Sequence, residues 1–574
     1  MTLTKSKSKN SISLYVTKSV REDGKKRSKV IEKLGTVAEL EKKLGGRDPI
    51  QWAEEYVKEL TRQDKEGRRE VIVKYKPYSQ IDKGKRRLYS GGYLFLQRVY
   101  YDLGINKICN LIAERYKFEF DIDSILSRLV YGRIIFPASK VATYELSKKL
   151  FEQPLFEIQH IYRALEVIGE EIDFIQAELY KRSTKVIDRK AGVLYYDCTN
   201  YFFEIEQEED LKQYGYSKEH RPNPIVQMGL FMDGDGLPLA FSIQDGNTNE
   251  QTTLKPLEKK ILSDFELSKF VVCTDAGLSS AANRRFNDVG GRAFITTQSV
   301  KKLKKFLKEW ALDPRGWRLS GDDSGKKKYY DISGIDEAEH KESTFYKEQW
   351  INEDKLEQRL IVTYSVKYKD YQRRIRDGQV ARAEKLIETN PEKVKKANQN
   401  DYKRFISQIS ATDEGEVAEN DFYFINTQAI AAEEAFDGFY AVCTNLEDDV
   451  ASIVKVNHRR WEIEECFRIM KHEFKARPVY VKRDMRVKAH FMTCFISLLI
   501  YRILEKRLGE KFTCSQIITE LRDMNFLEVP GEGYVPAYTR TDFTDALHDA
   551  FGFRTDFEIL THSHMKKIFR QSKK

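Results

Sequence analysis

Hydrophobic and polar positions change rhythm several times along this chain, and each change marks a different kind of element. Residues 12–34 alternate on both sides of REDG (21–24), which predicts a β-hairpin closed by an Asp-Gly turn. Two short helical patterns follow, to about residue 66. From Gly91 to about Arg189 the period is helical, as in SILSRLVYGRIIF and IYRALEVIGEEIDFIQAELYKR, with Pro137 and Pro154 as punctuation.

The texture turns to strand at AGVLYYDCTNYFFE (191–204). PIVQMGLFMDGDG and LPLAFSIQDG extend it into a meander with a glycine turn between them. NTNEQTTLKPLEKKIL opens a helix, with Thr248 and Gln251 at capping-box spacing. SKFVVCTDAG predicts a fourth strand, SSAANRRFN a helix, and RAFITTQ (292–298) a fifth strand. This order predicts a mixed α/β sheet with helices packed on it. Residues 300 to about 435 break the rhythm with short strands (STFYKEQWI, RLIVTYSVKY), the charged helical tract DYQRRIRDGQVARAEKLIE and the polar SATDEGEVAEND. They read as an inserted subdomain. The α/β texture resumes at GFYAVCTN (438–445) and runs into the helix WEIEECFRIMK (461–471).

The expected organisation is therefore multidomain α+β. It has a hairpin and helix module at 1–75, an all-α region at 76–189, a mixed α/β core at 190–300 and 436–505 interrupted by a β-containing insertion at 301–435, and a helical region at 506–574. The length of 574 residues exceeds what one hydrophobic core supports, and 41% hydrophobic with 12% aromatic residues excludes a disordered chain. Lys plus Arg total 98 against 89 acids, a formal charge of +9, which suits a polyanionic partner without requiring one. The basic residues of the hairpin, Lys18, Arg21, Lys25, Lys26, Arg27 and Lys29, form either a DNA-binding ribbon or a solvated charged edge.

Seven cysteines lack CxxC or zinc-cage spacing, which points to free thiols in a reduced, cytoplasmic setting. MTLTKSKSKN has no signal-peptide core. FMTCFISLLIYRIL (491–504) carries Arg502 and is too short to span a bilayer, so it reads as a buried helix and no membrane partner is expected. Neither DAGLSS nor DGDG has the P-loop pattern, so no nucleotide cofactor is expected.

Candidate chemistry centres on carboxylates. On a continuous helix at about 100° per residue, with Arg460 at zero, Lys471, Glu464 and Asn457 fall at about 20°, 40° and 60°, one polar stripe. Ile463, Cys466, Phe467 and Met470 form the adjoining apolar face, while Glu462 and Glu465 point elsewhere and are expected in solvent. Glu464 is then the candidate acid, against the alternative of an ordinary Arg-Glu surface pair. Asp197 lies mid-strand in VLYYDCT, and Asp275 ends FVVCTDAG at the C-terminal edge of a strand, where α/β sheets place functional groups. Two strand acids and one helix acid can hold a pair of hard divalent cations, and two metals about 4 Å apart serve in-line displacement at phosphorus. Arg460 and Lys471 would flank such a site as phosphate clamps. Gly246, Asn247 and Glu250 read as a turn and helix cap, with direct DNA contact as the alternative. Trp310 and Trp461 read as core or surface residues, with base stacking as the alternative.

These residues carry a resemblance. The sequence resembles insertion-sequence transposases of the DDE class, in the IS-four superfamily and its IS-sixteen-thirty-four branch, over nearly the whole chain: YYDCTNYFFE, GNTNEQT, TDAGLSS, the insertion, the glutamate helix and KARPVYVKRDMRVKAHF. The resemblance implies an RNase H-like core with Asp197, Asp275 and Glu464 as the catalytic triad, binding two Mg²⁺ or Mn²⁺ ions. It also implies double-stranded DNA as substrate, both terminal inverted repeats and target, with cut-and-paste movement by a homodimer on paired ends and a nucleoid-associated location. Arg460, Glu464 and Lys471 match the family's helix signature, while its tyrosine position holds Asn457, which would share the phosphate contact with Arg460 and Lys471. The rival readings are an inactive transposase-derived DNA-binding protein and a metal-dependent nuclease without strand transfer.

Overall fold

The computed structural model describes residues 1–8, 11–22, 25–66, 71–73, 76–321, 328–390, 394, 401–411 and 417–574. The expected turn at Asp23 and Gly24 lies outside them. The chain forms two compact units, Met1–Lys85 with Val529–Glu532, and Arg86–Glu528 with Gly533–Lys574.

In the first unit the two expected strands, Ile12–Glu22 and Lys25–Thr36, pair antiparallel, and Thr2–Lys7 adds a third strand outside the expected hairpin. Two helices follow, Val37–Leu44 and Pro49–Glu66. Thr36 and Glu39 form a capping box that starts the first. Pro49 opens the second, where its missing N–H costs nothing. Leu14, Leu40 and Ala53 make a small core beneath.

The second unit is built on a nine-stranded mixed sheet. Its order is Arg318–Leu319, Phe345–Glu353, Leu356–Tyr364, Phe439–Thr444, Ala293–Gln298, Val271–Thr274, Val193–Phe202, Ile225–Asp233, Pro238–Asp245. The last three are the expected antiparallel meander. Helix Glu250–Asp264 crosses over to Val271–Thr274, parallel to Val193–Phe202, and Ala281–Phe286 crosses to Ala293–Gln298, parallel again. The cap of the Glu250 helix is Asn249, whose side chain accepts from the Gln251 N–H, and not the expected Thr248.

Phe439–Thr444 then pairs antiparallel with Ala293–Gln298, and Leu356–Tyr364 with Phe439–Thr444. Much of the stretch expected as a separate insertion thus continues the central sheet. The remainder, helix Val366–Thr389 with the hairpin Ile406–Ala411 and Val417–Ile425, holds its own small core around Ala383, Phe405 and Ile406.

Helices between Tyr93 and Ser183 pack around the helix Asp484–Arg507. That helix is long and apolar enough to cross a membrane by composition, yet 94% of its apolar window is buried within the protein, as a core helix requires. Gly169 permits the closest approach, since a Cβ there would sit 2.1 Å from the Met485 carbonyl oxygen. The C-terminal region is not wholly helical. Besides Cys514–Asp523, Asp542–Phe551 and His562–Ser572 it supplies Asn525–Val529, Gly533–Pro536 and Leu560–Thr561 to a small sheet completed by Leu88–Ser90. Strands of two to five residues are too short for an alternating pattern to mark them.

Candidate active site

The parallel register sets Tyr195 opposite Cys273; Asp197 lies two residues further on within its strand, and Asp275 lies just past the end of the neighbouring strand. Asp197 Oδ1 accepts from the Cys198 N–H at 2.7 Å. Asp275 Oδ1 accepts from the Leu278 N–H at 3.0 Å, which closes the turn after its strand. Burial raises the Asp197 carboxyl to about 6; Lys218 opposes this, Asp275 adds to it, and Arg460 opposes it weakly. Two carboxylates within electrostatic reach, one of them reluctant to ionise, form a site that gains from a bound cation.

Three cations surround Asp197. Lys218 donates to the Cys198 carbonyl at 2.5 Å and pairs with Glu250 at 3.1 Å. Lys471 is largely buried, over the Tyr201 ring and 3.5 Å from Glu219; burial and the nearby Lys218 lower it to about 8. Arg460 is 3.8 Å from Glu464. Lys218 was not singled out from the sequence, because a lysine in the polar run YSKEHRPNP carries no periodic signal. The fold draws this loop in. Asn200 Nδ2 donates to the Tyr216 carbonyl, and the loop's Gly215 packs against Gly246, where a Cβ on Gly215 would lie 2.0 Å from the Gly246 carbonyl oxygen. Gly246 therefore serves close backbone packing, and Glu250 the Lys218 pair.

The glutamate segment departs from the continuous helix assumed above. A helix Val450–His458 ends, a turn at Arg459 and Arg460 intervenes, and a second helix runs Trp461–Arg468 before a π-helical turn at Ile469–Glu473. Two expectations fail, for Glu462 because Arg459 and Arg502 meet it and for Asn457 because of this break. Glu462, expected in solvent, is buried and paired with Arg459 and Arg502. Asn457, expected at a phosphate, is 3% exposed, donates to the Tyr440 hydroxyl at 2.7 Å and accepts from the Cys273 thiol, so its amide is spent inside the fold. Glu465 pairs with Arg468 on the surface. Glu464 is 62% exposed, the most open of the three glutamates.

Asp197, Asp275 and Glu464 do not lie among groups of three ligand atoms all within 4.8 Å; among the described residues that condition is met by Asp545, His548 and Asp556. Arg540 and Arg554 already neutralise the latter carboxylates. Carboxylate oxygens are the donor type that Mg²⁺ or Mn²⁺ takes.

In the first unit Lys18 is held by Asp64 at 2.6 Å, while Arg27 and Lys29 are exposed. The side chains of Arg21, Lys25 and Lys26 lie outside the described residues. Trp461 is exposed, and Trp310 packs partly buried against the cluster around Trp317.

Comparison with known families identifies the class as a DDE-type transposase. The family described as "Transposase DDE domain" matches residues 201–500, and "IS1634 family transposase, N-terminal domain" matches residues 2–71. The chain belongs to the DDE transposases of the IS1634 family, enzymes that act on DNA. Asp275 and Glu464 fall within the larger match, and Asp197 lies four residues before its start. No curated protein matches the sequence. Among solved structures, a piggyBac transposase synaptic complex with hairpin DNA aligns at 8% identity and a TM-score of 0.35, over 75% of this chain and 78% of that one.

Proposed function

We propose that this transposase binds the terminal inverted repeats of its own element, cuts the DNA at each end and joins the freed 3′ hydroxyl to target DNA. The observation that carries the reading is the placement of Asp197 on one strand and Asp275 just past the end of its parallel neighbour, with Lys218, Arg460 and Lys471 nearby. Asp197, Asp275 and Glu464 would hold two divalent cations, which when bound supply Lewis-acid chemistry for displacement at phosphorus. The protein's own part is to place the strand. Arg460 offers a planar fork to a phosphate, and Lys471 and Lys218 offer point charges beside it. Glu464, exposed and held only loosely by Arg460, is free to swing toward the aspartates when cation and DNA arrive.

The meander and two parallel crossovers support reading the five strands from Val193 to Gln298 as the RNase H-like core. We assign end recognition to the first unit, with exposed Arg27 and Lys29 as phosphate contacts, and read the working form as a homodimer on paired ends.

The test is nicking of a supercoiled plasmid bearing the element's ends, with Mg²⁺, by wild type, Glu464→Gln and Glu465→Gln. Loss of nicking confined to Glu464→Gln, with DNA binding retained, is the expected result. Full nicking by Glu464→Gln removes that residue from the site. Covalent joining of labelled ends to a target plasmid separates a transposase from a nuclease that only cuts.

A further inference from the structure

The helix Ile122–Ile135, the loop after it and the segment following the π-helical turn enclose a cavity of about 410 Å³. Its polar lining is cationic, with Arg133, Lys140, Lys475 and Arg477 joined by His490 and Tyr480, and it contains no Asp or Glu. Arg133 and Lys140 are 5% and 6% exposed. Arg133 donates to the carbonyls of Phe474, Lys475 and Ala138, and its Nε finds no partner among the described residues. No carboxylate among the described residues pairs with Lys140, and burial with the adjacent Arg133 pulls its ammonium down to about 7.

A buried ammonium beside a buried guanidinium, without counter-charge, is costly in the folded protein, and an anion in the cavity removes that cost. A series of charged side chains runs from the cavity toward the acid site. Arg477 pairs with Glu219, Glu219 lies 3.5 Å from Lys471, and Lys471 senses the charge of Asp197.

We propose that this cavity receives a backbone phosphate of the DNA strand that enters the acid site, held by Lys140, Lys475 and Arg477 with Arg133 as a fixed charge in the wall. The assignment rests on the proposed function, since it takes that strand to be the one the acids cut. Recognition here is of phosphate alone and reads no bases. Tyr480, 70% exposed at the rim, offers its ring to the adjoining sugar or base.

The experiment measures binding of the full-length protein to a fluorescein-labelled duplex carrying one element end, by anisotropy across a salt series, for wild type, Lys140→Met and Lys475→Ala. Lys140→Met is expected to bind roughly tenfold more weakly, the size of one lost charge-assisted contact. The slope of log K against log salt should shrink by about 0.9. Its thermal midpoint should hold or rise, because an uncompensated buried charge is gone. A structural lysine gives the opposite pattern, a fallen midpoint with unchanged affinity of the folded fraction, and overturns the proposal. Lys475→Ala, at the surface, guards against misfolding and should weaken binding in the same direction; wild-type affinity and slope in both variants also overturn the proposal. Inorganic phosphate that raises the midpoint of wild type but not of Lys140→Met, with DNA affinity equal in the two, would mark a site for free anions and overturn the DNA assignment.

Asp197→Asn separates the two readings. If it nicks like wild type the acid site is misplaced, whatever Lys140→Met does. If it is dead while both cavity variants bind normally, only the cavity assignment falls.

Discussion

Glu462 Oε2 and Arg502 Nη2 lie 3.4 Å apart, each side chain about nine-tenths buried, and so fasten the glutamate helix to the core helix Asp484–Arg507. Arg459 holds the other carboxylate oxygen at 2.9 Å, and Arg502 also donates to the Gly236 carbonyl. Removing Glu462 takes one carboxylate from Arg502, which keeps Glu505 and the Gly236 carbonyl, and leaves Arg459 with Asp235. Glu462→Ala should therefore lower stability by about 1–3 kcal/mol, read from urea unfolding. Gly236→Ala should act in the same direction, because its φ is +75° and a Cβ would fall 2.0 Å from Glu462 Oε2. An unchanged midpoint in Glu462→Ala would mean the pair is not closed in solution.

Asp197→Asn should stabilise the protein while abolishing cleavage. The folded carboxyl titrates at about 6 against an ordinary 3.8, so between those values the folded state holds more protons than the unfolded one. Stability from this group falls as pH rises from about 4 to 6, and the penalty is complete above that. At neutral pH the asparagine variant should gain on the order of 2 kcal/mol, and none at a pH well below 4. A gain that persists in acid would assign the effect to something other than the charge.

Lys218→Gln should move the acidic limb of the cleavage profile upward. Lys218 is the largest influence holding the Asp197 carboxyl down against burial, and the substitution removes it. The limb is expected about one unit higher in pH, with slower cutting at neutral pH. A profile of unchanged shape would place Lys218 outside the acid site.

Asn457→Tyr restores the residue of the related helix signature but should not restore a DNA contact. Asn457 is buried between Cys273 and Tyr440, whose hydroxyl also meets Thr297 Oγ1 at 2.8 Å. A larger ring overpacks this junction, and a loss of about 1–3 kcal/mol in stability is expected, with DNA affinity of the folded protein unchanged. Tighter binding by the tyrosine variant would contradict the buried placement.

The strands Val193–Phe202 and Val271–Thr274 were legible because each lies in a β-branched and aromatic stretch, a local signal that needs no partner. The buried core helix was legible for the same reason. What stayed hidden depends on distant partners. Glu462 is buried because Arg502, far along the chain, meets it, and Lys218 joins the acids because Gly215 packs on Gly246. The stripe of Asn457, Arg460, Glu464 and Lys471 assumed one unbroken helix, whereas the turn at Arg459 and Arg460 and the π-helical turn after Arg468 reset its phase twice. The strands 345–364 were legible as strands, but their membership of the central sheet depends on pairing with Phe439–Thr444, which no local pattern encodes.

That pairing has a bearing on when the protein becomes able to cut. The sheet cannot be completed during synthesis until the strand Phe439–Thr444 leaves the ribosome, since it alone bridges Ala293–Gln298 to Leu356–Tyr364. The two aspartates are laid down early, yet the glutamate and the helix that anchors it emerge only after Phe439–Thr444. A chain halted midway carries two of the three proposed acids on an open-edged sheet and none of the closing helix, so on the proposed reading its shortened products should not cleave DNA.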